Sequence, residues 1–86
     1  MPELSRFYGI IVRMYFDDHF PPHFHAHYGE HSALINIQTM GVFSGQLPPR
    51  AQGMVIEWAL LHQTELQDAW ERARNLEPLG KIAPLP

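Results

Sequence analysis

His23, His25 and His27 alternate along the chain, and with His19 and His31 they place five of the six histidines between positions 19 and 31. In an extended strand every second side chain projects from one face, with successive same-face Cα atoms about 6.5 to 7 Å apart. Imidazoles so spaced can share a metal ion or a phosphate, and they titrate near neutral pH. His23 and His25 are the strongest pair, because an H-x-H on a strand aims two rings at one point and needs only one or two further ligands. His27, Asp17, Asp18, His19 or Glu30 could complete the set. Mixed nitrogen and oxygen ligands suit zinc, nickel, copper or iron better than calcium or magnesium. The candidate metal ligands are therefore His19, His23, His25 and His27, with zinc or another transition metal as the cofactor.

A metal-free chemistry uses the same residues. His23 or His25 would act as general acid or base in phosphoryl or RNA chemistry, with Arg13 on the same face stabilising negative charge. The alternating run is similar to the strand motif of the histidine-triad nucleotide hydrolases, whose chains are longer and differ in element order. The plainest reading makes these histidines the solvated face of a two-sided strand. His62 belongs to a different pattern, an apolar helical stripe, and is expected to be a hydrogen-bonded core residue. Trp58 and Trp70 are expected to anchor that helix to the sheet rather than bind a ligand.

Positioning the histidines requires strands before and after them. Phe7 to Phe16 is rich in β-branched and aromatic residues and sets Ile10, Val12, Met14 and Phe16 against Ile11, Arg13 and Tyr15, which predicts a strand. Asp17 to Pro22 ends it in a stiff loop, since Pro21 and Pro22 lack backbone donors. Tyr28-Gly29-Glu30-His31 suits a type II′ hairpin, which pairs Tyr28 with His31, Ala26 with Ala33 and Phe24 with Ile35. The same register sets His27 against Ser32, His25 against Leu34 and His23 against Asn36, so one face is apolar and the other mostly polar. A turn at Thr39-Met40-Gly41, with Gly41 free to take positive φ, would pair Val42 with Gln38 and Phe43 with Ile37.

Pro48-Pro49 marks a helix start. Beyond it Val55, Trp58, His62, Leu66, Ala69, Ala73 and Leu76 keep three-and-four spacing, as one long helix or as two broken near His62 and Gln63. Thr64-Glu65-Leu66-Gln67 has the form of a capping box that would begin the second. The expected fold class is α+β, an N-terminal antiparallel sheet of about four strands covered on one face by C-terminal helix. It forms a single domain over 1–86, with a sheet part at 1–47, a helical part at 48–76 and an irregular tail at 77–86 that docks Leu79, Ile82 and Leu85.

Composition narrows the functions open to the chain. At 86 residues, with 45% hydrophobic and 17% charged, it has the make-up of a soluble globular domain. No apolar stretch can span a bilayer, and the run from Met1 to Arg6 lacks the pattern of a secretory signal, so a cytoplasmic location is expected and no membrane partner. Cysteine is absent, which leaves imidazole, carboxylate and water to hold any metal. A net charge of −3 does not support a generic nucleic-acid partner. Below about pH 6, protonated histidines would reverse the sign of their patch and make anion binding pH-dependent.

The combination Phe7-x-Gly9-Ile10-x-Val12-x-Met14-Tyr15-x-Asp17-Asp18-His19-x-Pro21-Pro22-His23-Phe24-His25, followed by Glu57-Trp58, His62 and Pro78-Leu79, resembles the small bacterial domain of unknown function 4160. The resemblance spans nearly the whole chain, and its central block D-H-x-P-P-H-F-H is specific. It implies a short prokaryotic protein, encoded beside another small protein and linked to toxin and antitoxin pairs. It also implies that a shared role uses His19, His23 and His25, with His27 and His31 departing from the family pattern. The expected function is a protein-interaction module of such a gene pair, with Arg13, His23, His25 and Asn36 on its working face. The alternative is an enzyme, a phosphohydrolase or ribonuclease-like toxin, that is metal-dependent or uses histidine acid–base chemistry, with His23, His25 and Arg13 as its catalytic candidates.

Overall fold

Tyr8 and Gly9 both take positive φ, 49° and 81°. That is the requirement of a two-residue type I′ turn, so the chain reverses there instead of running on as one strand. The computed structural model describes residues 2–86, and Met1 lies outside it. The reversal divides the expected first strand into β1 (Glu3–Phe7) and β2 (Ile10–Arg13), paired through Phe7 and Ile10. β3 (His23–Tyr28), β4 (His31–Asn36) and β5 (Val42–Gln46) complete an antiparallel meander in the order β1-β2-β3-β4-β5. The sheet thus has five strands, one more than the sequence suggests. Ile10, Val12 and Met14 are buried in the expected alternation, whereas Phe16 lies beyond the end of β2 and is exposed.

The β3–β4 hairpin has the expected register at every pair from His23 with Asn36 to Tyr28 with His31. Gly29 has φ 58° while Glu30 does not join the positive-φ residues, the asymmetry of a type II′ turn. The next connection departs from expectation. Asn36 Oδ1 accepts hydrogen bonds from the Gln38 and Thr39 amides, and the Asn36 carbonyl accepts one from Met40. This side-chain turn builds a wider loop in which Met40, not Gly41, takes positive φ. Val42 then pairs with Ile35 and Ser44 with Leu34, so Phe43 is the extra residue of a bulge, exposed to solvent. Gly45 is required where β5 meets β4, because a Cβ there would stand 2.2 Å from the Ser32 carbonyl oxygen.

Two helices follow, α1 (Pro49–Leu61) and α2 (Gln63–Arg74), and they pack on the face bearing Ile10, Val12, Phe24, Ala26, Ala33 and Ile35. Trp58 lies against Phe7 and Phe24, and its Nε1 donates to the Ala83 carbonyl of the tail. The chain breaks at His62, the second of the two arrangements expected, but His62 itself is the N-cap of α2 and Thr64 lies inside the helix. The break is tied to the sheet by Gln63 Nε2, which donates to the Ile37 carbonyl at 2.8 Å. His62 Nδ1 lies 2.6 Å from Glu65 Oε1.

At the other end of α2 the Glu77 amide donates to the Arg72 carbonyl and the Leu76 amide to that of Ala73. This is a Schellman closure with Leu76 in the left-handed position. Leu76 is therefore 69% exposed, not part of the apolar stripe. The irregular tail docks Ile82 and Leu85 as expected, and the Ile82 amide donates to the Leu4 carbonyl of β1.

Candidate metal centre

The loop from Asp17 to Pro22 is folded back over one end of the sheet. The Asp17 amide donates to the Ala73 carbonyl of α2, and the Ile37 amide donates to the Pro22 carbonyl. Phe20 rests on Trp70, with the Arg74 guanidinium 4.7 Å above its ring. Anchored at both ends, this loop lowers Asp18 onto the face of β3 that carries the alternating histidines.

Three ligand atoms meet there. Asp18 Oδ2 is 3.0 Å from His23 Nε2 and 3.2 Å from His25 Nε2. All three atoms lie within 4.8 Å of one another, and they are the one such cluster among the described residues. His23 Nδ1 stands 2.6 Å from the Pro21 carbonyl oxygen. A carbonyl oxygen only accepts, so this contact keeps a proton on Nδ1 and turns Nε2 inward toward the carboxylate. A backbone carbonyl holding the outer nitrogen while the inner one faces a metal is the usual support of a ligating histidine.

His23 is 1% exposed, enclosed by Trp70 and Phe43 with ring centroids at 5.3 and 5.5 Å. Part of the face expected to be polar and solvated is thus closed over. The Asp18 and His25 side chains each keep 19% of their surface, so the cluster is open on their side. The Tyr15 ring meets His25 edge-on at 4.3 Å and fixes its orientation.

Burial pushes the Asp18 carboxyl up, but hydrogen bonds from His25 and the His19 amide, with the charges of His23 and His25, prevail and hold it below the ordinary carboxylate value. Burial also pushes the His25 imidazole down, and its hydrogen bond to the accepting Asp18 carboxylate recovers only part of that fall. His27 is lowered by burial and then by the charge of Arg13. The His25 imidazole is accordingly neutral at neutral pH beside an ionised Asp18 carboxylate, the protonation states that metal ligation requires.

The remaining candidates stand around this centre. His19 is 83% exposed at the side chain, with Nδ1 3.1 Å from Asp18 Oδ1, the carboxylate oxygen facing away from the cluster's shared one. His27 stacks on His25 at 6.5 Å, and its buried Nε2 has no partner. Arg13 is paired in register with His25, His25 with Leu34 and Leu34 with Ser44, so these four residues form one row across the polar face. Asn36, opposite His23, spends its side-chain oxygen on the β4–β5 loop. Sequence reasoning did not assign Trp70, Tyr15 and Phe43 to the site. Their aromatic character was visible, but only the packing of α2, the Tyr15 segment and the β5 bulge brings them to the histidines.

A family model described as a domain of unknown function (DUF4160) matches residues 9–71, a span holding all three cluster residues and Trp70. No match was found among curated proteins or solved structures. Among the described residues no helix is long and apolar enough to cross a membrane.

Proposed function

From the premise that this chain belongs to the DUF4160 family, we propose that Asp18, His23 and His25 form a transition-metal centre and that the protein is a metal-dependent enzyme of hydrolytic type. The carrying observation is the spacing of the ligand atoms. Donors about 2.0 to 2.2 Å from an ion, at tetrahedral or octahedral angles, stand about 2.8 to 3.6 Å apart. The separations of Asp18 Oδ2 from His23 and His25 Nε2 are 3.0 and 3.2 Å. Two imidazoles and a carboxylate suit zinc or ferrous iron and leave coordination positions open on the exposed side. An ion there would lower the pKa of a bound water and polarise a substrate oxygen. The enclosing Trp70 and Phe43 hold His23 rigid and limit water on its side.

The test is metal-dependent thermal unfolding with isothermal titration. One equivalent of zinc, cobalt or ferrous iron should raise the Tm of the wild-type chain, and Asp18→Ala should abolish the rise while remaining folded. A wild-type Tm indifferent to all of these metals would remove the reading.

A second reading, a protein-interaction module in a toxin–antitoxin-like gene pair, draws support from the aromatic rim. Of the five phenylalanines, Phe7 and Phe24 are buried, while Phe16, Phe20 and Phe43 are exposed. Phe43 touches His23, and Phe16 and Phe20 flank Asp18 in the chain. A cytoplasmic partner encoded nearby and seated on these rings would cover the centre. Copurification with the adjacent gene's product, lost in a Phe20→Ser/Phe43→Ser variant, is the expected result; its failure removes this reading.

A further inference from the structure

His25 belongs to two features at once. Its Nε2 faces Asp18, and its side chain also walls a depression of about 230 Å³ whose lining includes Ser32, Leu34, Ser44 and Gly45. The register explains this. Ser32 and Leu34 share the histidine face of β4, and Ser44 follows Leu34 on β5, with Gly45 lacking the Cβ that would strike Ser32. Leu34 therefore forms an apolar floor between two serines, and Arg13 lies one strand beyond His25 on the opposite side.

We propose that this depression is the substrate pocket of the metal centre and takes the alcohol part of a small phosphate ester, with the phosphoryl group held between the centre and Arg13. The inference rests on the metal-centre reading above. A guanidinium is suited to phosphate oxygens by its planar fork of donors. Serine hydroxyls both donate and accept, which matches the hydroxyls of a sugar, and an apolar floor suits its carbon face. The two serine hydroxyls favour a hydroxylated alcohol part, and the net charge of −3 favours a ligand with few phosphates over a nucleic-acid strand. In the reaction a water oxygen bonds to phosphorus and the bond from phosphorus to the ester oxygen breaks. The alcohol departs with a proton from that water, leaving inorganic phosphate. No oxidant or reductant is needed.

The ligand could be a free sugar phosphate or the ribose phosphate of a nucleotide, so titrations of zinc-loaded protein use ribose 5-phosphate, adenosine 5′-monophosphate and inorganic phosphate. At least one ester should bind about tenfold more tightly than inorganic phosphate, the effect of one or two hydrogen bonds with apolar contact. Preference for the adenosine compound identifies the nucleotide, and equal binding of both esters identifies the sugar phosphate. Ser44→Val should erase the advantage of the ester without changing the zinc-induced Tm rise. Arg13→Gln should weaken all phosphate ligands alike. If esters bind no better than inorganic phosphate, or if Ser32→Val and Ser44→Val both leave the preference intact, this inference falls and the metal centre stands. If zinc fails to shift the wild-type Tm, the metal-centre reading falls and takes this one with it.

Discussion

The His23 ring lies 5.3 Å from the Trp70 ring, so a residue of α2 forms the wall against which a strand histidine is held. The Pro21 carbonyl, 2.6 Å from Nδ1, fixes the same ring from the loop side. A side chain clamped between a helix and a loop is held in place by the fold itself. Its loss should therefore be felt in stability as well as in binding.

His23→Ala is expected to cost about 2 to 4 kcal/mol, the range for emptying a buried ring site and losing its hydrogen bond. His25→Ala, with more exposure, should cost below about 1 kcal/mol. Both should abolish the metal-induced Tm rise. Urea unfolding with and without zinc measures the two effects; equal stability losses would contradict the clamped position of His23.

His19→Ala and His27→Ala should preserve the metal-induced rise, because neither side chain brings a nitrogen into the cluster of Asp18, His23 and His25. Titration calorimetry should show one ion per chain in both variants. Loss of binding in His27→Ala would mean that the histidine alternation, not the Asp18 loop, selects the third ligand.

Metal-free protein should lose stability on acidification. His25 and His27 are depressed below the ordinary imidazole value of 6.5. The unfolded chain therefore takes up protons first, and stability falls as pH drops through that value toward the folded ones. Asp18, depressed below 3.8, contributes stability that is present above that value and lost as pH falls through its folded one. Chemical unfolding between pH 8 and pH 3 should show both declines. His27→Asn should reduce the first, and stability that rises between pH 7 and pH 5 would contradict the assigned direction.

Gly45→Ala should destabilise by about 2 kcal/mol or more, since it combines a strained positive φ with a steric clash. The φ is 76° and the new Cβ would meet the Ser32 carbonyl at 2.2 Å. Gly29→Ala has a positive φ but open space, and should cost about 1 kcal/mol. Comparable losses at the two positions would show that β5 does not approach β4 as closely as described.

The β3–β4 hairpin could be read from the sequence because its determinants are local: alternation of two, and a glycine at the first turn position. The helix start at Pro49 and the break at His62 were visible for the same reason. Where a side chain or a left-handed residue rewrote the backbone, pattern failed. Tyr8 accepted positive φ beside Gly9 and split a strand, and the Asn36 side chain widened the β4–β5 loop and displaced Phe43 into a bulge.

The centre divides along the same line. The alternation of His23 and His25 on one strand face followed from the period of the pleat, which needs no distant partner. The sequence put His19 and His27 forward as the further ligands, with Asp17, Asp18 and Glu30 only as alternatives. Only the folded loop, held by the Ala73 carbonyl, set Asp18 against both rings, and only α2 and the β5 bulge together buried His23. A strand's period orders side chains within one segment, but choosing among ligands from a loop depends on contacts with elements far along the chain, which exist only once the core has packed.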